Sequence, residues 1–425
     1  MKTADISKLL FFIVTYFFLF PMLCFAGYRY EIEPRISVQQ VYDDNIYLDS
    51  ADEESDYLIS VSPGINMNIS SQNSSLSLDY SPAWVWYHTN DENNTVRHYG
   101  TLSYGQILTQ HVKLDLTNTY LKSEAPLEEI EDIEEVRRTR NTYQRNMADA
   151  SLEYQFGLED ALTFGYRHSL LENEDVTIDD GTVQSPFAEI NYWLNERNGL
   201  ELNYEFTDAN FSRDDDATPG DDYAGHSAGI RYIYRFTPHI RSSVGYTFTN
   251  RDFDGLTEDY AIHEGVVGLE YSLSPTLSLS LEGGIFALKN EESDDETGSV
   301  YKASLEKRSE RWSVTIGAKG GWDETYLEAE RRGLTTYWSA DSGLEYRFMQ
   351  RLNGYANVSF RQDEDVEDRE WATFRGNCGL EWEFLDLFSL SLDYFYTQRN
   401  DDVDTDEYKV NRVMLTLTTS KLWKW

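Results

Sequence analysis

The chain has 425 residues, with 75 acidic side chains against 36 basic ones and a formal net charge of −39. Hydrophobic residues make up only 40 %, but aromatics reach 14 %, while Pro (9) and Cys (2) are scarce. These figures exclude a disulfide scaffold or zinc ribbon, argue against a nucleic-acid partner, which calls for a basic stripe, and are too aromatic for disorder.

Residues 1–26 read as a secretory signal peptide. Lys2 and Lys8 give the positive start, Leu9 to Phe20 the apolar run, and Cys24-Phe25-Ala26 a cleavage site before Gly27. The apolar run is about 12 residues, short for a membrane-spanning helix. Leu23 stands where a lipoprotein signal wants a small residue. The mature chain, 27–425, then keeps Cys378 alone and forms no internal disulfide.

From there period-two alternation dominates. Leu76, Leu78, Tyr80, Pro82, Trp84 and Trp86 share one face, with Ser77, Asp79, Ser81 and Ala83 on the other. Val112, Leu114, Leu116 and Tyr120 stand opposite Lys113, Asp115, Thr117 and Thr119, and Phe388 to Tyr396 repeat the scheme. Such alternation marks strands with one apolar and one polar face.

Two kinds of connection separate them. Short ones fall at 71–75, 109–111, 157–160, 195–198, 237–238, 274–276, 309–311, 349–350 and 385–386. Long ones fall at 43–56, 89–97, 122–142, 171–182, 209–222, 251–259, 289–298, 323–333, 363–369 and 399–406. Their alternation gives about 20 strands of roughly 10–14 residues, with 18 as the alternative count. The expected fold is all-β: a transmembrane antiparallel up-and-down β-barrel with short periplasmic turns and long acidic extracellular loops. A soluble sandwich would show strands near six residues and similar loops at both ends. Tyr and Trp near strand ends suit interfacial girdles. Trp423 and Trp425, in phase with Val413, Leu415 and Leu417, resemble the C-terminal signal that the outer-membrane insertion machinery reads. Nothing resembling a plug domain precedes the first strand.

Val41 to Pro82 carries Asp44-Asn45-Ile46-Tyr47, then Ser55-Asp56, then Ser62-Pro63-Gly64 before a strand of small residues. This opening, about a tenth of the chain, resembles that of the β-barrel porin 2 family. The resemblance implies an outer-membrane barrel associated with exopolysaccharide production and exosortase systems, and with polymer passage. It brings no catalytic residues.

The polar faces define a lumen of nearly balanced charge, with basic residues such as Arg35, Lys113, Arg231, Lys302 and Arg361 against Asp79, Asp115, Glu205, Glu270 and Asp393. The plain reading is paired ladders across neighbouring strands. A sharper one uses position: Arg235, Arg241, Arg308, Arg311, Arg347 and Arg351 flank short turns and would make the periplasmic mouth basic. The ten long connections hold 48 of the 75 acids and 12 of the 36 basic residues, hence −36 of the −39. A basic mouth would collect an anionic polymer and an acidic rim would discourage its return. The rim could also gather divalent cations or simply be a solvated fringe; no loop has EF-hand spacing.

In the longest connection Leu127, Ile130, Ile133 and Val136 recur every three residues. Glu128, Glu129, Glu131 and Glu134 come early and Arg137 and Arg138 late, which suits a helix dipole. This segment is a candidate constriction loop, or else an outer flap. Catalysis is not expected: no G-x-S-x-G, HExxH or P-loop is present, and the His residues fall near strand ends on apolar faces or in loops. No cofactor or metal is expected. The partners expected are outer-membrane lipid and lipopolysaccharide, the insertion machinery, polysaccharide and periplasmic export components, and no nucleic acid. The function read is a passive conduit for polysaccharide export. A general diffusion porin and a non-conducting scaffold for a polysaccharide-assembly or surface-attachment complex are the alternatives.

Overall fold

The computed structural model describes residues 27–125, 140–175, 178–212, 222–255, 257–291, 294–325, 333–365 and 369–425. The signal peptide and the Glu128–Arg138 segment lie outside them. The first strands are β1 (Arg29–Asp43), β2 (Asp56–Ser70), β3 (Ser74–Tyr87), β4 (Thr95–Ile107), β5 (Val112–Ser123), β6 (Tyr143–Gln155) and β7 (Ala161–Asn173). Then come β8 (Asp180–Asn195), β9 (Asn198–Ser212), β10 (Tyr223–Thr237), β11 (Ile240–Phe253), β12 (Tyr260–Ser274), β13 (Leu277–Asn290) and β14 (Glu296–Arg308). The last are β15 (Trp312–Thr325), β16 (Gly333–Met349), β17 (Leu352–Asp365), β18 (Glu370–Leu385), β19 (Phe388–Asp401) and β20 (Tyr408–Ser420).

Each strand pairs antiparallel with its chain neighbours, and β1 pairs with β20, Arg35 facing Ser420 and Asp43 facing Arg412, so the sheet closes on itself. The chain end completes the seam: Trp423 and Lys424 add onto Ile32 and Glu31 of β1, and Tyr30 and Trp425 exchange both backbone hydrogen bonds, at 2.9 and 3.0 Å. The 20-strand barrel read from the sequence is the fold found. Its strands are longer than expected, from 12 residues in β5 to 17 in β16. Their long-loop ends run on as paired ladder beyond the apolar stretch, so residues read as loop, such as Asp56 and Asp401, are strand.

Alternation sends Ile36, Val38, Phe164, Val244, Val267, Ile316 and Leu392 outward, all exposed. An apolar exterior of this kind is stable in hydrocarbon, where a closed barrel leaves no unpaired strand edge. A belt of hydrogen-bonded aromatics marks its outer limit. Tyr80 shares a hydrogen bond with His98 at 2.8 Å, Tyr204 with His226 at 2.8 Å and Tyr246 with His263 at 2.7 Å. Tyr166 donates to Gln184 at 2.8 Å, Tyr394 to Asn411 at 2.6 Å and Trp338 to Gln362 at 3.1 Å. Each Tyr here reaches the diagonal cross-strand neighbour on its long-loop side. Beyond the belt the outward positions turn polar, as in Asn210 with Asp208 and Gln398 with Asn400. Rings with a polar handle belong at that boundary, apolar body in lipid and hydroxyl toward water.

Candidate functional site: the lumen and its two mouths

The inner wall is built from the polar phase of the strands, and its charges are matched. Arg35 crosses from β1 over β2 to donate two hydrogen bonds to Asp79 of β3, both 2.6 Å, with Asn66 adding a third at 3.1 Å. Gly64 makes that crossing possible, because a Cβ there would lie 2.8 Å from Arg35 Nε. The glycine of the Ser-Pro-Gly stretch is therefore the floor under an arginine arm. Further along, Arg231 pairs with Glu282 at 2.7 Å and Arg167 with both Asp149 and Glu205. Three inward rings carry a guanidinium on their faces: Arg235 over Trp193 at 3.6 Å, Arg361 over Tyr337 at 3.9 Å and Arg167 over Phe187 at 4.2 Å.

At the short-turn mouth four of the six arginines singled out by position meet carboxylates. Arg235 forks onto Glu159, Arg241 bonds Glu270 at 2.6 Å, Arg308 pairs with Glu306, and Arg351 reaches Asp386 at 2.5 Å. The hydrogen bond from Arg235 holds the Glu159 carboxyl below the ordinary glutamate value. Arg311 and Arg347 are joined through the backbone, the Arg347 N–H donating to the Arg311 carbonyl at 2.7 Å. Four of the cations at this mouth are thus neutralised in acid–base pairs.

The long-loop mouth is narrowed from two sides. On the β20 side the first loop, 44–55, folds inward around the Asp-Asn-Ile-Tyr stretch. Asn45 is buried and its amide donates to the carbonyls of Asp49 (2.7 Å) and Lys409 (3.1 Å), while its Oδ1 accepts from Asp49 N–H at 2.9 Å. Asp44 accepts two hydrogen bonds from Asn411, at 2.6 and 2.7 Å. Leu48 adopts φ 58°, a left-handed conformation costly for a branched residue, and packs on Tyr408 and Val410 of the inner wall. Asp56 closes the next turn, accepting backbone N–H bonds from His88, Thr89 and Asn90. The motif that carried the family resemblance is thus a loop clamp.

Four strands before β20, the β15–β16 hairpin leaves the wall. The β14–β15 ladder runs only from Arg308–Ser313 to Tyr301–Gly320, although β14 continues to Glu296 and β15 to Thr325. The freed hairpin end slides inside its neighbours like the overlapping edge of a scroll. By alternation Trp322 and Glu324 share the phase of lipid-facing Ile316. In the overlap that phase lies against the inner face of β11 to β13. Trp322 donates to Glu264 at 2.9 Å, and Glu324 accepts from Arg251 (2.8 Å) and Tyr260 (2.7 Å). Leu334 joins Ile262, Phe286 and Leu288 in a buried apolar layer between the two sheets.

Between these elements runs a band of buried ion pairs that reading the loops as solvated did not reveal. Arg412 bonds Asp43 at 2.8 Å, Arg361 bonds Asp363 at 2.6 Å, and Arg369 bridges Asp401 at 2.5 Å and Asp406. At the base of the longest loop, Glu124 is gripped by Arg97 (2.6 Å) and accepts from Tyr87 at 2.7 Å. Arg140 donates to Tyr87 at 2.6 Å and to the Ile46 carbonyl at 2.5 Å, tying this loop base to the first loop. Burial is the largest single influence and would raise the Glu124 carboxyl, but the Arg97 charge together with hydrogen bonds from Arg97 and Tyr87 holds it below the ordinary value. Burial pulls Arg140 below the ordinary arginine value. The signal available in the sequence was phase: Arg97, Arg251, Arg399 and Arg412 stand in the inward phase of their strands. The candidate constriction residues Glu128, Glu129, Glu131, Glu134, Arg137 and Arg138 lie outside the described residues. Among the described residues no three His, Cys, Asp or Glu side chains converge to hold a metal ion.

A closed 20-strand barrel with an apolar exterior, a polar lumen and an aromatic belt defines an integral outer-membrane β-barrel protein. No protein-family profile matches the chain, and no curated protein matches it. Solved structures do. The FrpB iron transporter from Neisseria meningitidis (F5-1 variant) aligns with a TM-score of 0.56 at 9 % identity, over 92 % of this chain and 82 % of that one. The siderophore receptor PirA from Pseudomonas aeruginosa aligns with a TM-score of 0.51 at 9 % identity, over 92 % of this chain and 80 % of that one. The likeness is one of fold.

Proposed function

We propose that the chain is a passive outer-membrane conduit whose cargo is a polysaccharide on its way to the cell surface. The observation that carries this reading is the lumen: a polar wall on which opposite charges pair in place, as Arg35 with Asp79, Arg231 with Glu282 and Arg167 with Asp149 and Glu205. A wall of matched pairs holds no strong binding site for small ions and lets a hydrated, hydrogen-bonding chain move past. The resemblance of Val41–Pro82 to the β-barrel porin 2 family points the same way. Outer-membrane lipid, lipopolysaccharide, the insertion machinery (through Trp423 and Trp425) and periplasmic export components are the partners that go with this role.

Deleting the gene should strand polymer in the periplasm and strip it from the surface. Unchanged surface polymer would overturn the assignment. A second reading, a general diffusion porin for small solutes, is favoured by the ion-paired short-turn mouth, which leaves little net field to select cargo. In that case deletion would slow small-solute uptake and leave surface polymer intact.

A further inference from the structure

The scrolled seam leaves a cavity of about 470 Å³ at the outer end of the barrel. It is lined from both faces of the wall: Phe286 and Asp363 belong to the inward phase, Tyr301, Trp338 and Gln362 to the outward phase. Residues of opposite phase share one cavity only where the ladder between them has ended, and here it ends at Tyr301–Gly320. The cavity therefore lies in the gap that the ended β14–β15 ladder leaves beside the β16–β17 pair. The Tyr301 ring lies over Gly320, where a Cβ would come within 2.7 Å of it, so this glycine sets how close the last paired ring sits to the opening.

Two kinds of group converge on this space. Aromatic rings come from Tyr301, Tyr337 and Trp338, with the buried Phe286 behind them, and planar acceptors from Gln362, Asp363 and their acidic neighbours. They are held in position: Trp338 donates to Gln362, whose amide donates to Glu370 at 3.0 Å, and Arg361 fixes both the Tyr337 ring and Asp363. An acyl chain would strip water from carboxylates with nothing in return, and an anionic group would meet like charge. A neutral sugar offers C–H faces for the rings and hydroxyl donors for the planar oxygens. The volume falls in the range of small-ligand sites.

We infer that this cavity is a binding site for a neutral saccharide at the outer membrane boundary. Two sources share that chemistry, exported polymer and the core sugars of lipopolysaccharide. The site does not depend on what crosses the lumen, so failure of the export reading leaves it standing.

The test is calorimetric titration of the full-length barrel in a sugar-free detergent, with three probes: maltohexaose, a neutral outer-core oligosaccharide of lipopolysaccharide free of phosphate and acidic sugars, and oleate. Binding of either saccharide is expected, and the better one names the source. Gln362→Ala should weaken it about tenfold, the effect of one lost hydrogen bond. Gly321→Val fills the cavity from a position where a Cβ meets only Val300 at 3.6 Å, and should abolish binding. Heat-modified gel mobility confirms that each variant is folded. Binding of oleate alone, binding of no probe, or saccharide binding unchanged in both folded variants would each overturn the site.

Discussion

Trp322 of β15 donates its indole N–H to Glu264 of β12 across 2.9 Å, joining two strands separated by β13 and β14 in the wall. That bond exists because the hairpin end lies inside the barrel. Trp322→Phe keeps the ring and removes the donor. Combined with Glu324→Ala it also removes the carboxylate to which Arg251 and Tyr260 donate. Hydrogen bonds to charged groups contribute about 1.5–3 kcal/mol each, so the hairpin end should detach while the barrel stays closed. Backbone hydrogen exchange should accelerate in Gly321–Thr325 and Gly333–Thr336, and single-channel conductance should rise. Unchanged exchange would mean that the apolar layer around Leu334 holds the seam alone.

The same mouth should respond to acid through Glu124. Its carboxyl is held below the ordinary value by Arg97 and Tyr87, so the stabilisation is complete above the unfolded glutamate range. It is lost as pH falls through the lower, folded value. The loop base should therefore stay pinned at neutral and mildly acidic pH and loosen only under stronger acid. Glu124→Gln removes the buried carboxylate that Arg97 grips, and breaking a fully buried pair costs about 3–5 kcal/mol, with less expected here because Arg97 is partly exposed. The variant should unfold at lower temperature and lose less of its stability in acid than the wild type does, since the other paired carboxylates still titrate in both. A wild-type melting temperature that does not fall in acid would contradict this.

The first loop offers a third handle. Asn45→Ala removes the amide that binds the Asp49 and Lys409 carbonyls, exposing an unmade buried bond worth about 1–3 kcal/mol. Leu48, already in a left-handed conformation, then loses its support. Protease cleavage within 44–55 should become faster in the variant, and conductance should rise without a change in strand content by circular dichroism.

Much of this architecture was legible. The alternation of Leu76 to Trp86 and of Val112 to Tyr120 fixed which face meets lipid, and the contrast of short and long links gave the strand number. Inward placement of Arg35, Asp79, Arg231 and Glu205 followed from phase alone. What escaped depends on contacts distant in sequence. Trp322 and Leu334 obey the lipid-facing phase and become interior only because β15 slips inside β14, a displacement no local pattern encodes. Asp56, Asp401 and Asp406 looked like a solvated fringe, because an acid in a polar segment reads the same whether water or an arginine meets it. Strand ends were set too early for a related reason: past the bilayer, ladder hydrogen bonds continue while the apolar alternation fades.

The position of the lipid belt makes a fourth prediction. Val267 lies outward near the middle of β12, and Ser304 lies inward near the middle of β14. An arginine on the lipid face at mid-depth costs about 2–4 kcal/mol. Val267→Arg should reduce folding into lipid vesicles markedly, whereas Ser304→Arg should fold nearly as the wild type. Equal effects would mean that the assigned faces are wrong.

The conduit itself is tested most directly by single-channel recording in planar bilayers, with dextran fragments of increasing length added to the short-turn side. The account predicts a steady ionic current with weak ion preference, since the wall charges are paired. It also predicts reversible interruptions whose duration grows with fragment length as the polymer threads the lumen. A barrel that inserts but carries no current, or a current that dextran of every length leaves untouched, would contradict it.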